Sequence, residues 1–131
     1  MGAIKIFPSD REWSKYIRTR DKWTCVRCEK KYIPPTSALH CSHFHSRGVW
    51  SLRFDEDNCE ALCYGCHSYL GSNPTEHYEH KFNRLGKKRF DALQHKKNNP
   101  KSNIIAYYKS KEFRKTIKEK MEGLKNAEKT S

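Results

Sequence analysis

Two Cys-x-x-Cys pairs, Cys25/Cys28 and Cys63/Cys66, constrain this chain more than any other feature. Each pair offers two sulfurs to half of a tetrahedron, and two such pairs a few tens of residues apart read as one zinc site. Four thiolates leave no coordination position for a substrate, so the predicted role is structural. A redox-active Cys-x-x-Cys would need a surrounding βαβ pattern that this sequence lacks. The two remaining cysteines, Cys41 and Cys59, read as small buried hydrophobes. Exchanging Cys59 for Cys63 as a ligand is conceivable but breaks the knuckle spacing. A metal staple suits the composition. Of 131 residues 35% are hydrophobic and 32% charged, which predicts a small core in one domain, or in a small domain with helical appendages.

The formal net charge of +12 calls for an acidic partner, nucleic acid first and an anionic membrane second. No cationic segment has the wide apolar face that sinks into lipid. The start, Met1 to Phe7, lacks the apolar stretch of a secretory signal, nothing later approaches a membrane span, and Ile6 stands where an acylation motif needs Ser or Thr. The expected location is therefore cytoplasmic and reducing, where paired cysteines take metal rather than oxidise.

Spacing predicts a first helix from Ser9 to about Arg20, with Ser9 and Glu12 as a capping box and Trp13, Tyr16 and Ile17 on one face. Trp23 is expected to cover the zinc. Residues 38–44 read as a short strand ending in histidines, and Trp50 to Phe54 as a second strand or extended loop. A short helix should begin in the second knuckle and end near Gly71. Asn73, Pro74 and Glu76 start another that stops at Gly86, followed by a helix from Lys87 to about His95. Phe113, Ile117, Met121 and Leu124 form a helical stripe that docks either on the domain or on a second copy of the chain.

The order Cys25-x-x-Cys28, His43, Asn58-x-x-x-Leu62-Cys63-x-x-Cys66-His67 resembles the HNH, or ββα-metal, nucleases whose finger is tied by a four-cysteine zinc. The resemblance covers roughly residues 25–73 and matches His43, Asn58 and His67 to the three named positions. It implies an α+β fold, a small zinc-stabilised ββα-metal finger flanked by N- and C-terminal helices. It also implies a nuclease domain over residues 1–98 and a basic helical extension over 99–131. His43 would be the general base that takes a proton from the attacking water. Asn58 would hold the loop that orients it, and His67 would ligate a catalytic divalent ion, Mg²⁺ or Mn²⁺. One departure stands out: many relatives carry a metal-binding Asp immediately before the general base, and this chain has Ser42. His40 and His45 are the nearest substitute ligands, with Asn73, His77 and His80 beyond, and a nitrogen-rich set would suit another transition metal.

The run His43-Phe44-His45-Ser46-Arg47-Gly48, Leu52-Arg53-Phe54, and Leu70-Gly71-Ser72-Asn73 is similar to the phage NinG (Rap) recombination proteins. The first knuckle and clustered histidines also look like endonuclease VII-type junction resolvases. Both likenesses imply a viral or mobile-element enzyme, in the host cytoplasm, acting on branched DNA. Junction cleavage needs paired cuts, so a homodimer is expected. Arg47 and Arg53 would contact phosphates or serve as salt-bridge partners. Lys87, Lys88, Arg89, Lys96 and Lys97, with the lysines from Lys109 to Lys120, would follow duplex backbones without reading sequence. The alternatives are an HNH nicking or homing-type endonuclease, a zinc module that binds nucleic acid without cutting it, and a ribosomal-type RNA-binding protein.

Overall fold

The computed structural model describes residues 5–130. Residues 1–4, on which part of the reading of the chain's start rests, and residue 131 lie outside the described residues. Among the described residues eight elements follow one another: α1 (Pro8–Arg20), β1 (Leu39–His43), α2 (Trp50–Arg53), β2 (Cys59–Cys63), α3 (Tyr64–Ser72), α4 (Pro74–Asn98), α5 (Ile104–Tyr108) and α6 (Lys111–Thr130). The architecture is α+β: one antiparallel hairpin, β1 against β2, set among helices. No helix among the described residues is long and apolar enough to cross a membrane.

Helix α1 forms where the spacing predicts it but is capped differently. Pro8 occupies the first turn, where its missing N–H is no loss, and the Asp10 carboxylate accepts from the Phe7 N–H at 2.8 Å. Ser9, expected as the cap, instead donates to the Tyr108 carbonyl, and Glu12 pairs with Arg114 on α6. Trp13, Tyr16 and Ile17 are buried on one face against Phe54, Phe113 and Ile117. Met121 and Leu124 pack on the same cluster, so the stripe of α6 is an internal face.

The segment Trp50 to Arg53 is helical, which corrects the strand expected there. Alternation along 50–54 suggested a half-buried strand, but side chains three apart meet instead. The Arg53 guanidinium stacks 4.3 Å from the Trp50 ring. The partner of β1 is Cys59–Cys63, in the register Leu39 to Cys63, Cys41 to Ala61 and His43 to Cys59. Leu52, Leu85, Phe90 and Leu93 make a second apolar cluster between α2 and α4, each buried side chain stabilising by about 2 kcal/mol. The two helices predicted on either side of Gly86 form, and within α4 they meet across a kink at that residue, where φ is 79° and the backbone is not helical. Glycine alone takes that angle without strain.

On its α4 side the hairpin is anchored by charge. Glu60, 1% exposed, lies 2.9 Å from His80 Nε2, 3.0 Å from Arg84 Nε and 3.6 Å from Lys81 Nζ. Burial alone would raise its pKa, but the hydrogen bond to His80 and the Lys81 and Arg84 charges outweigh that and hold it down at about 2. Ser42 opposes Glu60 in the register and is buried with it.

Candidate functional site

The two knuckles meet as their spacing predicts. The Sγ atoms of Cys25, Cys28, Cys63 and Cys66 all lie within 4.8 Å of one another. Cys28 and Cys63 are 3.8 Å apart, the edge of a tetrahedron built on metal–sulfur bonds of about 2.3 Å. The chain turns into the first knuckle through Lys22 and Trp23, both at positive φ. The second knuckle is itself the start of α3: Cys63 caps the helix, accepting from the Cys66 N–H at 3.4 Å. Arg27 donates to Cys66 Sγ at 3.4 Å while stacking on Tyr69. Burial raises the Cys25 thiol, but backbone N–H groups aimed at it bring it down to about 7. Burial pushes Cys66 up to about 12, helped by its hydrogen bonds to Cys63 and Cys25. Four thiols this close do not ionise together without a cation among them, and the donor set fits a tetrahedral zinc.

His43 ends β1, and Nε2 of its ring lies 2.9 Å from the carbonyl oxygen of Arg53. A carbonyl only accepts, so Nε2 carries the proton and Nδ1 is left as the basic nitrogen. Asn58, fully buried, holds the intervening loop at both ends. Its Oδ1 accepts from the His45 N–H at 2.8 Å, and its Nδ2 donates to the carbonyls of His45 at 3.0 Å and Leu52 at 2.9 Å. The loop that carries the Arg53 carbonyl is thereby tied to the strand that carries His43.

His43 lines a cleft of about 560 Å³ together with His40, Cys41, His67, Arg18 and Arg47. Nδ1 of His40 and Nδ1 of His67 are 2.9 Å apart, one imidazole donating to the other. Burial, then the neighbouring His40 and His43 charges, lower the His67 pKa, which keeps it neutral and able to bind an ion. His45 does not join them: its Nε2 is 2.6 Å from Gln94 Oε1 on α4. His80 sits across the hairpin on Glu60, and Ser42 does not line the cleft.

For Arg53 the salt-bridge role holds and the phosphate contact is overturned. The residue is 1% exposed, and its guanidinium donates to both carboxylate oxygens of Asp10, at 2.9 and 2.7 Å, and to the Lys5 carbonyl at 2.7 Å. It is a structural ion pair, out of reach of a phosphate. Burial opposes ionisation of Asp10, but the Arg53 hydrogen bonds outweigh it and keep the carboxyl below its usual range. Arg47 lines the cleft and carries no ion pair among the described residues. On α4, Lys87 pairs with Asp91, Arg89 with Asp57 and Lys96 with Asp55, while Lys88 and Lys97 are exposed without an acidic partner among the described residues.

Sequence reasoning missed the part played by four residues, Arg18, Lys15, Cys41 and Cys59. Arg18 looked like an ordinary basic residue in the last turn of α1 but lines the cleft. Lys15 lines both a groove against α6 and the pocket next to Arg18, so basic side chains run from Lys111, Lys115, Lys118 and Lys125 to the cleft. Cys41 and Cys59, taken as packing residues, lie with His43 so that their donor atoms are within 4.8 Å of one another.

Fold and cluster together define a small, basic α+β protein with a four-cysteine cluster able to hold zinc beside a histidine cleft. The family model described as the bacteriophage lambda NinG protein matches residues 8–129, and the chain belongs to that family of phage proteins. It is also similar to a protein of Lactococcus phage SK1 named "Probable HNH endonuclease", with 34% identity over 65 residues, 44% of this chain and 67% of that protein. No solved structure matches the chain.

Proposed function

We propose that this protein is a metal-dependent DNA endonuclease of the HNH class that hydrolyses phosphodiester bonds in branched recombination intermediates. The observation that carries this reading is the placement of His43: its ring is fixed by the Arg53 carbonyl and lines the same cleft as the His40–His67 pair. The phage relative named for an HNH endonuclease supports it. On this reading β1, β2 and α3 form the ββα-metal finger, residues 1–98 the nuclease unit, and 99–131 a basic extension that packs on α1.

Nδ1 of His43 takes a proton from the attacking water, a role worth about 10²–10⁴-fold in rate. Asn58 keeps the base in register, and Arg47 and Arg18 draw the phosphodiester into the cleft. His40 and His67 would hold a divalent ion, which when bound would supply stabilisation of the charge that develops on the phosphate and the departing 3′ oxygen. Asp10 lines the cleft but is committed to Arg53. The nitrogen donors therefore suit Mn²⁺ or another borderline transition ion better than Mg²⁺. The basic track from α6 to Arg18 follows duplex backbones, and no row of base-reading side chains accompanies it, which favours recognition of DNA shape. Two paired cuts at a junction require two copies of the chain.

The test is cleavage of a labelled four-way junction beside its matched linear duplex, with Mn²⁺, Mg²⁺ or no metal. Metal-dependent cutting confined to the junction supports the whole reading. Equal cutting of both substrates keeps the nuclease and moves it to the nicking class. The commitment of Asp10 to Arg53 favours a second reading, a zinc module that binds DNA without cutting it; binding with no cleavage under any ion would establish that instead.

A further inference from the structure

We infer that Cys41, His43 and Cys59 form a second metal site, one that takes a soft or borderline ion such as Zn²⁺, Co²⁺ or Cd²⁺. The hairpin register puts these residues together. Cys41 and His43 are two apart on β1, so both point to one face of the hairpin, and Cys59 is directly opposite His43 on β2. Their donor atoms lie within 4.8 Å of one another. A tetrahedral ion with bonds of about 2.3 Å to sulfur and 2.0 Å to nitrogen needs donor separations of about 3.5–3.8 Å, so small side-chain shifts suffice.

The surroundings suit a thiolate-rich site. Trp13 Nε1 donates to Cys59 Sγ at 3.3 Å, the kind of outer contact that orients and stabilises a sulfur ligand. Cys59 is buried at the foot of the site, while Cys41 and His43 line the cleft. Three protein donors would close the inner side and leave a fourth position open to the cleft. The ligand chemistry separates this site from the four-cysteine knuckle, which is complete without it. It also differs from the His40–His67 pair, which has no sulfur.

Occupation has a consequence that rests on the nuclease reading. An ion here takes the imidazole proposed as general base, so zinc in excess of the knuckle's one equivalent would suppress cleavage.

The binding experiment does not depend on that reading. Full-length protein with its knuckle zinc in place, kept reduced, is titrated with Co²⁺ and followed by absorption and by metal content per chain. One further ion with a thiolate-to-cobalt charge-transfer band is expected. Co²⁺ held by imidazoles alone lacks that band. Cys41→Ser, at a partly buried position, should weaken the sulfur-bound ion by about a hundredfold or more, since losing even an outer partner of a ligand costs about 10–100-fold, and His43→Ala should weaken it too. No charge-transfer band in the folded parent would overturn the proposal. So would a band unchanged in Cys41→Ser, or a Cys41–Cys59 disulfide in the protein as isolated. If cleavage is found, the zinc concentration for half-inhibition should rise by a similar factor in Cys41→Ser. A nuclease without that shift, or a site without a nuclease, would separate the two claims.

Discussion

The Arg53 carbonyl is 2.9 Å from Nε2 of His43, and the guanidinium at the other end of Arg53 is locked onto Asp10. One residue thus connects the cleft histidine to the first turn of α1. Its main chain selects the imidazole tautomer while its side chain, buried and paired, keeps that main chain still.

Removing Asp10 should leave Arg53 buried and unpaired. Asp10→Ala is expected to lose about 3–5 kcal/mol of stability by urea unfolding. Any cleavage activity should fall with it even below the unfolding midpoint, because the Arg53 carbonyl is no longer fixed. A loss under 1 kcal/mol would mean that the ion pair is not what immobilises this end of α2.

Asn58 satisfies three backbone groups in a fully buried position. Asn58→Ala strands all three and is predicted to cost about 3 kcal/mol. Asn58→Asp should be nearly as damaging, since it keeps the acceptor for the His45 N–H but sets a carboxylate against two carbonyls. Thermal melts of the pair check this; an Asp variant as stable as the parent would contradict it.

Glu60 makes stability depend on acid. Its folded pKa, about 2, lies below the ordinary value of 4.5. The stabilisation is therefore fully present above about pH 4.5 and is lost as pH falls from there toward 2. The full effect amounts to roughly 3 kcal/mol. Unfolding measured from pH 7 to pH 2.5 should show Glu60→Gln less stable than the parent at neutral pH, with the gap closing in acid. A gap independent of pH would contradict the assignment.

Lys115 and Lys118 line the α1–α6 groove. If duplex phosphates lie there, the double Lys→Ala variant should reduce the slope of log affinity against log salt by about 2 without changing which DNA is preferred. An unchanged slope would move the DNA path off α6.

The four-cysteine cluster was legible because four sulfurs at fixed spacing admit few other uses. The pattern singled out His43, Asn58 and His67, and the structure places His43 and His67 in one cleft with Asn58 holding the adjoining loop. Arg53 was not, because what buries it is Asp10, 43 residues earlier, and no local spacing announces such a pair. Cys41 and Cys59 escaped for the same reason, since only the register of β1 against β2 brings them to His43. Periodicity misread 50–54 because a single helical turn is too short to show its period against an alternating background.

The most direct test of the account is cleavage of a labelled four-way junction by the zinc-loaded protein, with and without added Mn²⁺, comparing the parent with folded His43→Ala. The account predicts Mn²⁺-dependent cutting of the junction that His43→Ala reduces by about 10²–10⁴-fold while DNA binding persists. Equal cutting by both proteins, or none by the parent with any divalent ion, would contradict it.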